Sequence, residues 1–476
     1  KMDREQQAKE SESLFAPLKW AARRKTFPLI CTAFGWGFLM TGLVTGGSYV
    51  GMSVSEAFTA MIIGNIILTI VAVLVSIPGQ ATGSGNSSLF IMSYGQFGFV
   101  IPALLFSMVL TSWHGLVSGM LAETWLGVNS GPAYVIMALI WGVVAMMLTY
   151  GGMKFMEIIA IPATFALIAI GIFSIFYAIN LAGGWDVFVA AMNEASASAK
   201  SEGINTSVMA GVTLVVGSWI AGAGCASEVT RFTKTRSMAI VMIVIGIPLC
   251  QFFLNILGYI GQNGAGSYNF CVYLANIGPV IHIISLLAMT LALLSSLDVN
   301  LYLPSCMISN IFRIPRKGGV LILGTIGTIM GGCGAFNYFG NFMNVMASIL
   351  PGLVGPLIAD FYILNRGKWD IKLLHKVPKF NICAILAYVF GFISQFTFAP
   401  PGIPKELWAI LMSLIMYIVL MFIFKAAGHP QGYWKVKHLA EGPYKPQQDD
   451  SQLGDYFANF INYDGKVTHL KEEHDS

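Results

Sequence analysis

Two apolar segments interrupted by glycines limit what this chain can fold into more than any other feature. The first runs from Phe27 to Gly51 and carries Gly35, Gly37, Gly42, Gly46 and Gly47; the second runs from Gly211 to Arg231 and carries Gly217, Gly222 and Gly224 around Trp219. An unbroken helix in lipid satisfies its own backbone. A broken one frees carbonyl and N–H groups at mid-membrane, which is tolerable only where they line a cavity or are buried in protein. Breaks at corresponding places in two halves of a chain mark the substrate and ion site of a secondary transporter. The competing reading is that the glycines merely let helices pack closely, as in small-xxx-small patterns.

Only 11% of the 476 residues are charged and 56% are hydrophobic, against roughly a quarter charged in a soluble domain. Bilayer is therefore the expected solvent. With about 20 apolar residues needed per span, twelve candidates emerge near 28–50, 56–77, 98–124, 133–151, 155–181, 207–230, 238–261, 278–302, 319–333, 338–363, 380–398 and 405–425. Basic residues test the count. Lys19, Arg23, Arg24 and Lys25 precede span 1, whereas Arg231, Lys234 and Arg236 follow span 6, Arg313, Arg316 and Lys317 follow span 8, and Arg366, Lys368 and Lys372 follow span 10. All fall on one side if both termini are cytoplasmic, and the opposite loops hold chiefly Lys200 and Lys405, as the positive-inside rule requires. The expected organisation is an N-terminal segment (1–26), helices 1–5 (27–181), helices 6–10 (207–364), two accessory helices (380–425) and a polar cytoplasmic tail (426–476). The net charge of +4 forms no basic stripe, so nucleic acid is not an expected partner. No conventional signal peptide is expected in the first 26 residues. The seven cysteines form no CxxC pair or zinc pattern, and no HExxH, P-loop or dinucleotide fingerprint is present, so an enzyme is not expected.

Three groups of residues could carry chemistry. Ser295 and Ser296 in span 8 could offer hydroxyl oxygens to a monovalent cation, together with carbonyls of a broken span 1, or could bond back to their own helix. Asp298 is the most deeply placed ionisable group; it could serve an ion pathway, a proton relay or a gate, or could pair with a basic residue or cap a loop. Trp113 and Trp219 are placed to clamp a flat ring, each stacking contact contributing roughly 1–3 kcal/mol, or to pack; Trp36 is also deep.

The stretch Val215–Gly222 with Glu228–Phe232, the run Ser295-Ser296-Leu297-Asp298 with Leu301-Tyr302, Pro351–Arg366 with its Ile358-Ala359-Asp360-Phe361 core, Gly46-Gly47 and Trp113-His114-Gly115 occur in an order that resembles the nucleobase–cation symporter-1 family over roughly residues 15–425. The resemblance implies an all-α polytopic membrane protein of leucine-transporter type, with five plus five inverted helices and two further C-terminal helices. It implies a planar heterocycle held between Trp113 and Trp219, with Ser218, Gly222 and Asn300 completing the substrate set. It further implies a co-transported Na+ held by Ser295 and Ser296 and by carbonyls of Gly37, Met40 and Thr41. The chain departs from the family's cytosine carriers at Leu110, Ala221 and Leu297, where they have polar residues. Leaving a buried polar group of the ligand unpaired costs roughly 1–3 kcal/mol, so a heterocycle other than cytosine is expected. Proton-coupled uptake and a non-transporting membrane sensor are the alternatives, and a bacterial inner membrane is the expected location.

Overall fold

The computed structural model describes residues 17, 18, 20, 23–151, 153–204, 206–312, 314–440 and 442; the side chains of 153–161 and of Asp298 lie outside that description, as do Lys19, Arg313 and the segments 1–16 and 443–476. The break expected in the first apolar segment falls at Phe38–Met40. It divides helix α1 into α1a (Thr26–Gly37) and α1b (Thr41–Gly47), which meet at 43°. There follow α2 (Val54–Thr82), α3 (Val100–Leu126), α4 (Pro132–Tyr150), α5 (Met153–Leu181), α6 (Val208–Gly224), α7 (Arg236–Ala265), α8 (Pro279–Phe312), α9 (Arg316–Gly332), α10 (Ala335–Leu364), α11 (Ile382–Thr397) and α12 (Lys405–Ala426). Among the described residues there is no strand. Among the described residues eight helices are long and apolar enough to cross a bilayer, and the bent α1 pair makes a ninth; α6 and α11 are shorter apolar helices.

The second break comes directly after the last of the three glycines rather than at Trp219. Helix α6 runs without interruption through Trp219 and stops only at Cys225–Ala226, before a single turn at Ser227–Thr230. Gly217 serves close packing instead: a Cβ there would stand 2.5 Å from the Met343 carbonyl of α10. The carbonyl of Gly224, freed by the turn, accepts from Asn86 Nδ2 at 2.6 Å, and the Asn86 N–H donates to Glu228 Oε1 at 2.8 Å. Ser227 donates to Asn86 Oδ1 as well. Asn86 opens a nine-residue helix, Asn86–Tyr94, every residue of which is buried. It lies between the second and third spans expected from sequence.

Helix α1b and α7 approach almost backbone to backbone. A Cβ on Gly46 would lie 2.0 Å from the Asn255 carbonyl oxygen, and one on Gly258 would lie 2.0 Å from that of Leu43. Helix α7 is itself irregular, with a π-helical turn over Ile245–Gln251 that contains Pro248. Proline removes one N–H from the ladder, and the wider turn accommodates the freed carbonyls.

Charge distinguishes the two ends of the bundle. At one end Arg23 donates to the carbonyls of Gln80 (2.8 Å) and Thr233 (3.0 Å), joining the segment before α1, the end of α2 and the loop after α6. At the other, Ser53 and Glu56 form a reciprocal capping box at the start of α2. Glu56 also accepts from Ser196 at 2.7 Å and pairs with Lys200. These contacts hold down an amphipathic helix, Trp185–Ser201, whose buried face is Phe188, Met192, Ser196 and Ala199.

Asp360, within the π-helical end of α10, is wholly buried. Its carboxylate accepts from Tyr417 of α12 (2.5 Å), Trp369 (2.7 Å) and Asn365 (2.8 Å), and Asn381 donates to Tyr417 at 2.9 Å. Asp360→Ala would orphan three donors, and a hydrogen bond to a charged group is worth about 1.5–3 kcal/mol. The expected result is an unfolding temperature lowered by many degrees, with Asp360→Asn much milder; equal unfolding temperatures for Asp360→Ala and the parent would show that the cluster does not hold α10 to α12.

Candidate functional site

The five expected substrate residues come together. Trp113, Trp219, Ser218, Gly222 and Asn300 line one cavity between α3, α6 and α8, with Trp36 and Thr41 of α1 completing the wall. Two of the positions that depart from the cytosine carriers, Leu110 and Ala221, also line it; Leu297 is fully buried but not part of the lining. The cavity volume is about 10 Å³, enough for one water at most. This conformation is contracted, and admitting a heterocycle requires side chains to move apart.

Trp36 packs against one of the two expected clamp residues. Its ring centroid is 4.5 Å from that of Trp219, at an interplanar angle of 71°, an edge-to-face contact of the kind indoles favour. Trp113 meets Phe342 (5.1 Å, 88°) and Phe339 (5.8 Å, 66°) of α10 edge-on. Sequence reading placed Trp36 deep without giving it a role, because it sits on the last turn of α1a and its direction depends on where that helix stops.

The polar groups of the cavity have a distinct balance. Ser218 Oγ donates to the Val215 carbonyl (2.7 Å) and accepts from Gln251 Nε2 (3.1 Å). Its proton is thus committed, and it has acceptor capacity to spare. Asn300 Nδ2, Trp36 Nε1 and Trp219 Nε1 are buried donors with no hydrogen-bond partner among the described residues. Gln251 was invisible as a site residue in the sequence; it reaches α6 because the π-helical turn shifts the face on which it emerges, and its one signal is an amide within an apolar run three residues after a proline.

Beside the cavity, the break of α1 meets α8. Ser296 Oγ accepts from the Met40 N–H at 3.0 Å, and its own proton points to the Ala292 carbonyl (3.0 Å) or that of Phe38 (3.4 Å). Ser295 is buried next to it. The Gly37 carbonyl accepts from the Leu39 N–H at 2.9 Å in the tight turn between the half-helices, and the Thr41 carbonyl accepts from Thr45 Oγ1 at 2.9 Å while the Thr41 residue lines the substrate cavity. These are neutral hydroxyl and carbonyl oxygens, the hard donors suited to a monovalent cation of low charge density. Asp298 lies one helical turn from Ser295 along α8, but its side chain is outside the described residues. Among those residues there is no group of three or more His, Cys, Asp or Glu able to hold a metal ion.

Comparisons with known proteins converge on one family. Residues 22–420 match the family described as permease for cytosine/purines, uracil, thiamine, allantoin. The cytosine permease of Escherichia coli K12 is 24% identical over 405 residues, which is 85% of this chain and 93% of that protein. Among solved structures, Mhp1, a nucleobase-cation-symport-1 family transporter in a closed conformation with bromovinylhydantoin bound, superposes with a TM-score of 0.73 at 18% identity, covering 93% of this chain and 98% of that one. A Na+-coupled sialic acid symporter in a substrate-bound outward-open state gives 0.57 at 12% identity over 87% and 92%. Transporter-fold helices around a cavity of tryptophans and a family match over most of the length leave no place for an enzyme: the chain is a multi-pass membrane protein that belongs to the cytosine/purine permeases, the nucleobase–cation symporter-1 family.

Proposed function

We propose that the protein is a sodium-coupled symporter that takes up a planar, carbonyl-bearing heterocycle by alternating access. The observation that carries this reading is the shared wall between two sites: α1 lines the substrate cavity through Trp36 and Thr41, while the backbone of its break is held by Ser296. A Na+ between the break and the Ser295–Ser296 pair would order the same segment that the substrate touches. Inward movement of one charge across ~100 mV supplies ~2.3 kcal/mol before any concentration gradient is counted.

In this reading α1–α12 are twelve spans. Helices α1–α5 and α6–α10 are the inverted repeats, α11 and α12 are accessory, and the end carrying Arg23 and the loop after α6 is cytoplasmic, with both termini, in a bacterial inner membrane. The charge asymmetry between the two ends supports that orientation. Substrate lies against Trp113 and Trp219 once Trp36 has moved off the Trp219 face.

The substrate class follows from the unpaired donors. Three N–H groups with no partner among the described residues call for ligand acceptors, and Ser218 can accept one ligand N–H. A ring with two carbonyls, of the hydantoin or uracil type, meets that pattern better than cytosine, whose amino group would face Leu110 and Ala221. The bound hydantoin of Mhp1 and the name of the Escherichia coli relative support the wider class.

Thermal stability of the purified protein against hydantoins, uracil and cytosine, with and without sodium, tests the proposal. A ligand at 100 times its dissociation constant contributes about 2.7 kcal/mol. A dione that stabilises only with sodium, and cytosine that does not, is the expected outcome. If no planar compound shifts unfolding under either condition, the tryptophan site is wrong.

A further inference from the structure

The ends of α10 and α12 on the Arg366 side, together with the segment after α12, border an open cleft of about 710 Å³. That lies within the roughly 300–1,000 Å³ of small-molecule clefts. Arg366, Lys368, Lys425 and Lys437 line it, and among the described residues no carboxylate does. Among the described residues no ion pair joins any of these four to an acid. Asp360, which accepts three side-chain hydrogen bonds and is within electrostatic reach of Lys437, and Asp370, which caps the turn at Lys372 (3.1 Å), are not part of the lining.

The cations are held in place by the protein. Lys437 Nζ donates to Asn365 Oδ1 at 3.1 Å, and Lys425 Nζ stands 4.6 Å from the ring centroid of Trp434. Arg366 alone among non-glycine residues described has a positive φ, of 52°. A residue other than glycine keeps that backbone only when its surroundings impose it. One wall of the cleft is apolar, formed by Leu364 and Trp434. On the same helices Ile363, Phe422 and Ile423 are each about half exposed, at 49%, 54% and 55%, a track for acyl chains beside a charged cup.

We propose that this cleft binds the phosphate-bearing headgroup of an anionic phospholipid from the adjoining leaflet. Converging guanidinium and ammonium groups match a phosphate through charge-assisted hydrogen bonds, and basic pockets between helix ends at the membrane face are the usual form of such sites. The full-length protein in neutral detergent is titrated with phosphatidylglycerol, phosphatidylcholine or inorganic phosphate while its unfolding temperature is read. Phosphatidylglycerol should raise it by a few degrees and phosphatidylcholine should not. Arg366→Asn with Lys368→Gln should abolish the rise and leave unfolding in detergent alone unchanged, since asparagine tolerates the left-handed backbone. Lys425→Gln provides a second variant should the pair fail to fold. A rise of the same size with inorganic phosphate, lost in the variant, overturns the lipid as the source and keeps the phosphate chemistry. A phosphatidylglycerol effect that is absent, or equal in parent and variants, overturns the site. No transport is read, so failure of the symport reading leaves the result interpretable.

Discussion

Ser296→Ala is expected to weaken sodium and substrate binding together, each by about ten- to a hundredfold. The hydroxyl is the acceptor for the Met40 N–H at 3.0 Å, in the gap where α1 has no helical hydrogen bond. Removing it leaves a buried donor unpaired, at about 1–3 kcal/mol, and every 1.4 kcal/mol is about tenfold in affinity. The loss should appear in both affinities because coupling between two ligands is reciprocal. Ser296→Thr keeps the hydroxyl and should retain most of the affinity. Binding isotherms for substrate over a range of sodium concentrations check this. Substrate affinity that stays fully sodium-dependent in Ser296→Ala would remove the serine from the ion site.

Gly258→Val should prevent accumulation of folded protein altogether. Its Cβ would stand 2.0 Å from the Leu43 carbonyl oxygen, and both partners are helix backbone, so no side chain can swing away. Overpacking of a well-filled core costs typically 1–3 kcal/mol where side chains can adjust; here α1b and α7 would have to separate along their whole contact. Gly340→Ala is the control, with nothing within 4 Å of its added Cβ and an exposed position in α10. Fluorescence-detected size exclusion should show a monodisperse peak for Gly340→Ala and none for Gly258→Val. A normal Gly258→Val peak would mean that the helices are less closely joined than described.

How much of this was legible in the sequence depends on what each feature is made of. Helix positions were, because twenty-residue apolar runs separated by charge admit few other readings; the bounds of α2 to α12 lie within a few residues of those expected except at the ends of α2 and α8, where polar or proline-containing continuations remain helical, and of α6, which stops early. The meeting of Ser296 with the α1 break was legible too, since it needs only a hydroxyl and a freed backbone at the same depth. The stopping point of α6 was not. Gly217 looks like a breaker, but its absent side chain makes room for Met343, whereas Gly224 both admits Phe106 and ends the helix; composition cannot distinguish a glycine that bends a helix from one that admits a neighbour. Nor could the sequence show Asn86–Tyr94 as a buried helix, because it lies between two expected spans and only the structure shows Gly224 and Glu228 engaging Asn86.

The joining of α1b to α7 also bears on how the molecule can move. A half-helix fastened backbone to backbone cannot flap alone; it travels with its partner as a single lever. The softest points of that lever lie side by side. A Cβ on Gly37, at the end of α1a, would be 2.6 Å from Gly246 Cα, inside the π-helical turn of α7. The interrupted turn of one helix and the widened turn of the other therefore mark a common pivot. Trp36 lies against it, 2.9 Å from where a Cβ on Gly246 would stand. Flexing at that pivot would shift the indole directly, so a ring that lines the cavity also lies against the hinge.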